Sequence, residues 1–130
     1  MKEARIYLPF PPSINSLYPS NKTTQRRFKS KKYKEWIDFA DILYLQQMRG
    51  LPKFINPVQF VIYLGRPDKR IRDAANYEKA VSDYLVRVEL LADDSLIWKN
   101  TQQWGSAKER RINGTARECV VWIRELKEES

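Results

Sequence analysis

Ala4, Ile6 and Leu8 alternate with Arg5 and Tyr7 at the start of the chain, a period of two that predicts a strand over residues 3–9. Pro9 ends it, and F-P-P-S-I-N-S-L-Y-P-S-N over 10–21 reads as a loop. The period then changes. Over 31–49, Tyr33, Trp36, Ile37, Ala40, Leu43, Tyr44 and Met48 recur at helical spacing as a wide buried stripe, with Ser30 placed to cap the start and Gly50 to stop the end. Pro52 and Pro57 bracket the passage into V-Q-F-V-I-Y-L-G over 58–65, whose near-continuous apolarity predicts a strand covered on both faces.

The loop R-P-D-K-R-I-R-D over 66–73 leads into a predicted helix over 74–91, with Ala80, Tyr84, Leu85, Val88 and Leu91 as its stripe and Asp73 at the N-cap position. A-D-D-S-L closes that helix. Strands are predicted over 95–104 and 117–126, the last with Val120, Trp122 and Arg124 on one face and Cys119, Val121 and Ile123 on the other. The final K-E-E-S reads as a frayed tail. The order β-α-β-α-β-β predicts one α+β domain over 1–130, a small mixed sheet with two main helices on one face.

Composition narrows what such a domain does. Hydrophobic residues make up 42% of the 130 and charged residues 31%, which excludes a disordered chain and leaves enough apolar surface for a core without staples. The single cysteine, Cys119, excludes an internal disulfide and points to a reducing compartment. No stretch has the length and apolarity of a membrane span and the N-terminus lacks a signal-peptide core, so the expectation is a cytoplasmic protein without a membrane partner. The absence of histidine excludes Ser-His-Asp and Cys-His sites, histidine-bound zinc and histidine general bases. Hydrolytic chemistry, if present, must run on carboxylates, lysine and a hard metal ion.

The net charge of +8 favours a polyanionic partner, nucleic acid first. Its clustering sharpens the point: Lys22, Arg26, Arg27, Lys29, Lys31, Lys32 and Lys34 fall together with no acid among them, and Phe28 and Tyr33 interleave. A basic loop running into a helix start suits phosphate binding; the bland alternative is a solvated loop. Arg66, Lys69, Arg70 and Arg72 form a second cluster running into Asp73. Asn76, Lys79 and Asp83 then share a predicted helix face, which on spacing alone is equally an ordinary polar face. Asp93 and Asp94 lie at the far end of the helix, able to reach this group only if the strand after them pairs back beside 58–65.

Taken together, L-P-F-P-P-S-I-N over 8–15, R-P-D-K-R-I-R-D over 66–73, Asn76 with Lys79 and Asp83, and the pair Asp93 and Asp94 resemble the RusA family of Holliday junction resolvases over nearly the whole chain. The resemblance implies a magnesium-dependent endonuclease that acts as a homodimer on four-way DNA junctions and nicks two opposed strands symmetrically, with no organic cofactor. It implies Asp73 and Asp94 as magnesium ligands and Lys79 at the phosphate. Arg26, Arg27, Lys29, Lys31, Lys32, Lys69, Arg70, Arg72 and Asn76 would contact DNA, and Asn15 would be structural.

One position departs from the family pattern: the middle aspartate of its D-x-D-N motif falls on Ala75. With one carboxylate fewer, the chain as written is expected to bind junctions and cleave them poorly or not at all. The preferred explanation is an engineered replacement, since the rest of the motif is intact; the other is a natural homologue that binds without cutting. A non-catalytic branched-DNA-binding protein is therefore the alternative function, and a basic protein acting through other proteins a blander one. Trp36, Trp98, Trp104 and Trp122 are expected in the core or at dimer contacts rather than as base-stacking platforms.

Overall fold

A computed structural model describes residues 2–18, 29–65, 73–104, 111–112, 115–116 and 119–126. Strands β1 (Glu3–Leu8), β2 (Val58–Leu64), β3 (Ile97–Trp104) and β6 (Cys119–Glu125) form a mixed sheet in the order β1-β6-β2-β3. β6 runs antiparallel to both β1 and β2, and β3 runs parallel to β2. Two short strands, β4 (Arg111–Ile112) and β5 (Thr115–Ala116), pair with each other and were not signalled by periodicity. Helices α1 (Lys31–Gln47) and α2 (Glu78–Arg87) complete an α+β architecture.

The inner face of the sheet is built in rungs. Ala4, Ile123 and Phe60 lie side by side, then Ile6, Val121 and Ile62, then Leu8, Cys119 and Leu64. All are buried, and they join Tyr33, Trp36, Ile37, Ala40 and Tyr44 of α1 and Ala80, Val81, Tyr84 and Leu85 of α2 in one core. Both helices therefore cover the same face. Full burial of one such aliphatic or aromatic side chain contributes about 1.5–3 kcal/mol before entropy is counted. The outer face is covered less completely than the sequence predicts: Val61 is buried, but Gln59 and Tyr63 of β2 are only half-buried.

α1 begins and ends as its chemistry dictates. The Ser30 hydroxyl accepts from the Tyr33 amide at 3.0 Å, and Gly50 adopts φ +84°, a left-handed conformation that costs glycine nothing. Met48, predicted to be buried in the stripe, is instead half exposed because the helix has ended at Gln47. Gln47 itself turns back to β1, accepting from the Tyr7 amide and donating to the Tyr7 carbonyl, both at 2.7 Å.

α2 is shorter than predicted. Residues Ala74–Tyr77 form a 3-10 turn, and the α-helix runs only over Glu78–Arg87. It closes with the Leu90 amide on the Leu85 carbonyl at 3.1 Å and Glu89 at φ 63°, a Schellman-type end in which glutamate occupies the place glycine favours. Val88 and Leu91 thus lie outside the helix. Leu91 is buried all the same, bridged to Phe54. Similarly, the predicted strand over 95–104 starts at Ile97, because Asp94–Leu96 forms another 3-10 turn. The K-E-E-S tail lies outside the described residues.

Candidate active site

Asp73 acts as the cap that its position predicts. Its Oδ1 accepts from the Ala75 amide at 3.1 Å, the side-chain turn expected where aspartate precedes a helical turn. The capped unit is the 3-10 turn, so Asn76 does not continue the α-helical row of Lys79 and Asp83. Asp73, Ala75, Asn76 and Lys79 are all at least partly exposed.

The turn is held by aromatic rings from three parts of the chain. Phe10 meets Tyr77 edge to face at 5.0 Å and stacks on Trp104 at 6.4 Å, and Tyr77 meets Trp104 at 6.1 Å. Phe10 belongs to the P-F-P-P segment after β1, and Trp104 ends β3. Directly after the turn, Glu78 accepts from Asn100 of β3 at 2.9 Å and from the hydroxyl of buried Ser82. Thus β1, β3 and α2 all fix the backbone that carries Asp73 and Lys79. Sequence reasoning missed Phe10, Tyr77, Glu78 and Ser82, whose partners are distant in the chain or have no distinctive spacing.

Lys79 forms an ion pair with Asp83 one helical turn on, at 3.1 Å. That hydrogen bond, with lesser contributions from the charges of Asp83, Tyr18 and, least, Asp94, holds the ammonium above the usual lysine range. The return of Asp94 depends on topology: β3 pairs beside β2 and the Asp94–Leu96 turn packs against α2, which satisfies the condition read from the sequence. Asp94 is exposed within electrostatic reach of Lys79. Its neighbour Asp93 instead caps the turn, accepting from the Ser95 hydroxyl and amide, which hold its carboxyl below the usual range.

Among the other predicted DNA-binding residues, Lys29, Lys31 and Lys32 are exposed at the start of α1, with Lys31 in a loose pair with Glu35 at 3.8 Å. Arg26, Arg27, Lys69, Arg70 and Arg72 lie outside the described residues. Asn15 is exposed on the Ile14–Ser16 turn, which packs against the Ala74–Tyr77 turn. Trp36 is buried and Trp122 half-buried beneath the Arg124 guanidinium at 4.9 Å, whereas Trp98 is exposed.

Hard oxygen donors beside a lysine at the mouth of a helix suit phosphoryl-transfer chemistry. Among the described residues, however, no three acidic, histidine or cysteine side chains converge to hold a metal ion. None of the described helices is long and apolar enough to cross a membrane.

Comparison with curated proteins finds no match. The family model for endodeoxyribonuclease RusA matches residues 9–114, a span that contains Phe10, the Asp73 turn, Lys79, Asp94 and Trp104. The chain belongs to the RusA endodeoxyribonuclease family, whose activity is the cleavage of Holliday junction DNA.

Proposed function

We propose that this protein binds four-way DNA junctions through the surface around the Asp73 turn, and that its scaffold is that of a magnesium-dependent resolvase making symmetric paired nicks. The observation that supports this reading is the topology: β3 pairs beside β2, so that the Asp94–Leu96 turn packs against α2, the helix that follows the Asp73 turn and carries Lys79. Asp73 and Asp94 supply hard carboxylate oxygens of the kind magnesium takes. When bound, the ion would orient and activate the attacking water and shield the phosphate.

The donor set is nevertheless one short. Position 75 contributes a methyl group, and the Asp73 carboxylate is partly engaged by the Ala75 amide. The protein's own residues still provide a binding surface. Lys79 presents a charge that can meet a phosphate oxygen once it parts from Asp83, and Lys29, Lys31 and Lys32 flank the start of α1, where backbone N–H groups favour an anion. In this reading Asn76, with Arg26, Arg27, Lys69, Arg70 and Arg72, adds DNA contacts, Asn15 is structural, and a cytoplasmic homodimer sets two identical sites on two related strands. A two-fold dimer is checked by sedimentation of the free protein.

The deciding experiment compares this chain with its Ala75→Asp variant on an end-labelled four-way junction, with and without magnesium. Magnesium-dependent paired nicking by the variant alone is the expected result. Binding without cleavage by both would leave the non-catalytic junction binder, which the alanine at position 75 specifically favours.

A further inference from the structure

Beside the Lys79–Asp83 pair, between α1 and α2, lies a pocket of about 320 Å³. Buried Ile37 and Tyr84 give it an apolar base. Half-buried Tyr18 and buried Tyr33 line it together, meeting edge to face at 6.1 Å and 85°, so that Tyr18 offers most of the accessible ring surface. Exposed Lys29 and Arg87 and half-buried Asp83 supply its charge.

This combination matches one ligand chemistry closely. Aromatic side chains contact the face or edge of a nucleobase, a carboxylate accepts from an exocyclic amino group, and cations meet the flanking phosphates. Burial, with the Asp83 charge nearby, pushes the Tyr33 phenol up to about 12, so it keeps its proton at neutral pH. The volume is at the small end for ligand pockets and admits one base with its sugar.

Location sets which base. Lys79, Asp83 and Arg87 occupy successive turns of α2, each step about 6 Å along the axis. The pocket therefore begins one step from the lysine assigned to the phosphate, within reach of a neighbouring nucleotide. Bases at the branch point are paired, but their stacking is broken on one side where the strands exchange, so extruding one there costs less than extruding one from within an arm.

We propose that this pocket receives one unstacked nucleobase from the junction strand next to the phosphate held at Lys79, with Tyr18 and Tyr33 against the base, Asp83 at its amino edge and Lys29 and Arg87 on its backbone. This rests on the junction-binding reading above. Recognition of that base adds a shape requirement that duplex arms do not meet.

The test uses the chain as written without magnesium, so that binding is read apart from cleavage. Fluorescence anisotropy measures its affinity for four-way junctions carrying a single abasic site at each position around the crossover and in the arms. The expected result is a loss of about fivefold or more at one crossover position and its symmetry mate, with little effect in the arms. Tyr18→Ala should weaken binding of the intact junction while leaving that abasic junction unchanged. A flat abasic scan, with preference for junction over duplex retained, would overturn the pocket assignment and leave the junction reading standing. Equal affinity for junction and duplex would remove both.

Discussion

At the scale of single residues, position 75 is where the proposed chemistry can be tested without disturbing the fold. Ala75 is exposed and its amide is already held by Asp73, so Ala75→Asp should change stability by less than about 0.5 kcal/mol in a denaturant titration. Its effect on magnesium-dependent cleavage should be gain from none. In that background Lys79→Ala should lower cleavage by roughly 100-fold or more while changing junction affinity only a few-fold, read by single-turnover cleavage alongside anisotropy. Equal losses in both would make Lys79 a DNA anchor only. The cap at Asp73 was legible from local chemistry, because an aspartate ahead of a helical turn has a short-range task. The nearness of Asp94 to Lys79 was legible only as a condition, since it depends on a strand pairing that no local signal specifies.

Among elements, the Ala74–Tyr77 turn depends on rings that arrive from elsewhere. Phe10 and Trp104 are 94 positions apart yet stack at 6.4 Å across Tyr77. Trp104→Ala should cost about 2 kcal/mol, less than full burial would give because the ring is only half-buried. In the Ala75→Asp background it should reduce cleavage beyond what a control mutation of equal stability cost does, because the turn loses its anchor. This contact was invisible in the sequence: periodicity assigns residues to faces within an element, not to partners across the fold. The end of α2 escaped for a different reason. Apolar spacing continues through Val88 and Leu91, and Glu89 takes the left-handed position without the glycine that would have announced the stop.

The whole molecule carries its charge and its buried acids in ways that solution conditions reveal. Burial raises the Tyr33, Tyr44, Tyr84 and Cys119 side chains above their ordinary values, 10.0 for tyrosine and 9.0 for cysteine, with Tyr33 reaching about 12. In the folded state these groups keep protons that the unfolded chain releases. The Tyr33 contribution is therefore complete below about pH 10 and is lost as pH rises from there through 12. Thermal melts over that range should show a falling midpoint, with a shallower fall for Tyr33→Phe. Salt acts on the surface instead. Replacing Lys29, Lys31 and Lys32 by alanine should reduce the slope of log affinity against log salt by roughly 2 to 3 if all three meet phosphates.

The Gln47 side chain bears on how molecules meet one another. A strand at the border of a sheet offers its peptide groups to any other chain that comes alongside, which is how soluble proteins begin to polymerise. At Tyr7 that offer has already been taken up from within the same molecule, by an amide that copies the donor and acceptor of a peptide unit. One side chain at the end of a helix thus acts as a stopper, and growth of the sheet past β1 must first displace it. Edge-to-edge association of neighbouring copies is thereby opposed at that point by the molecule's own helix.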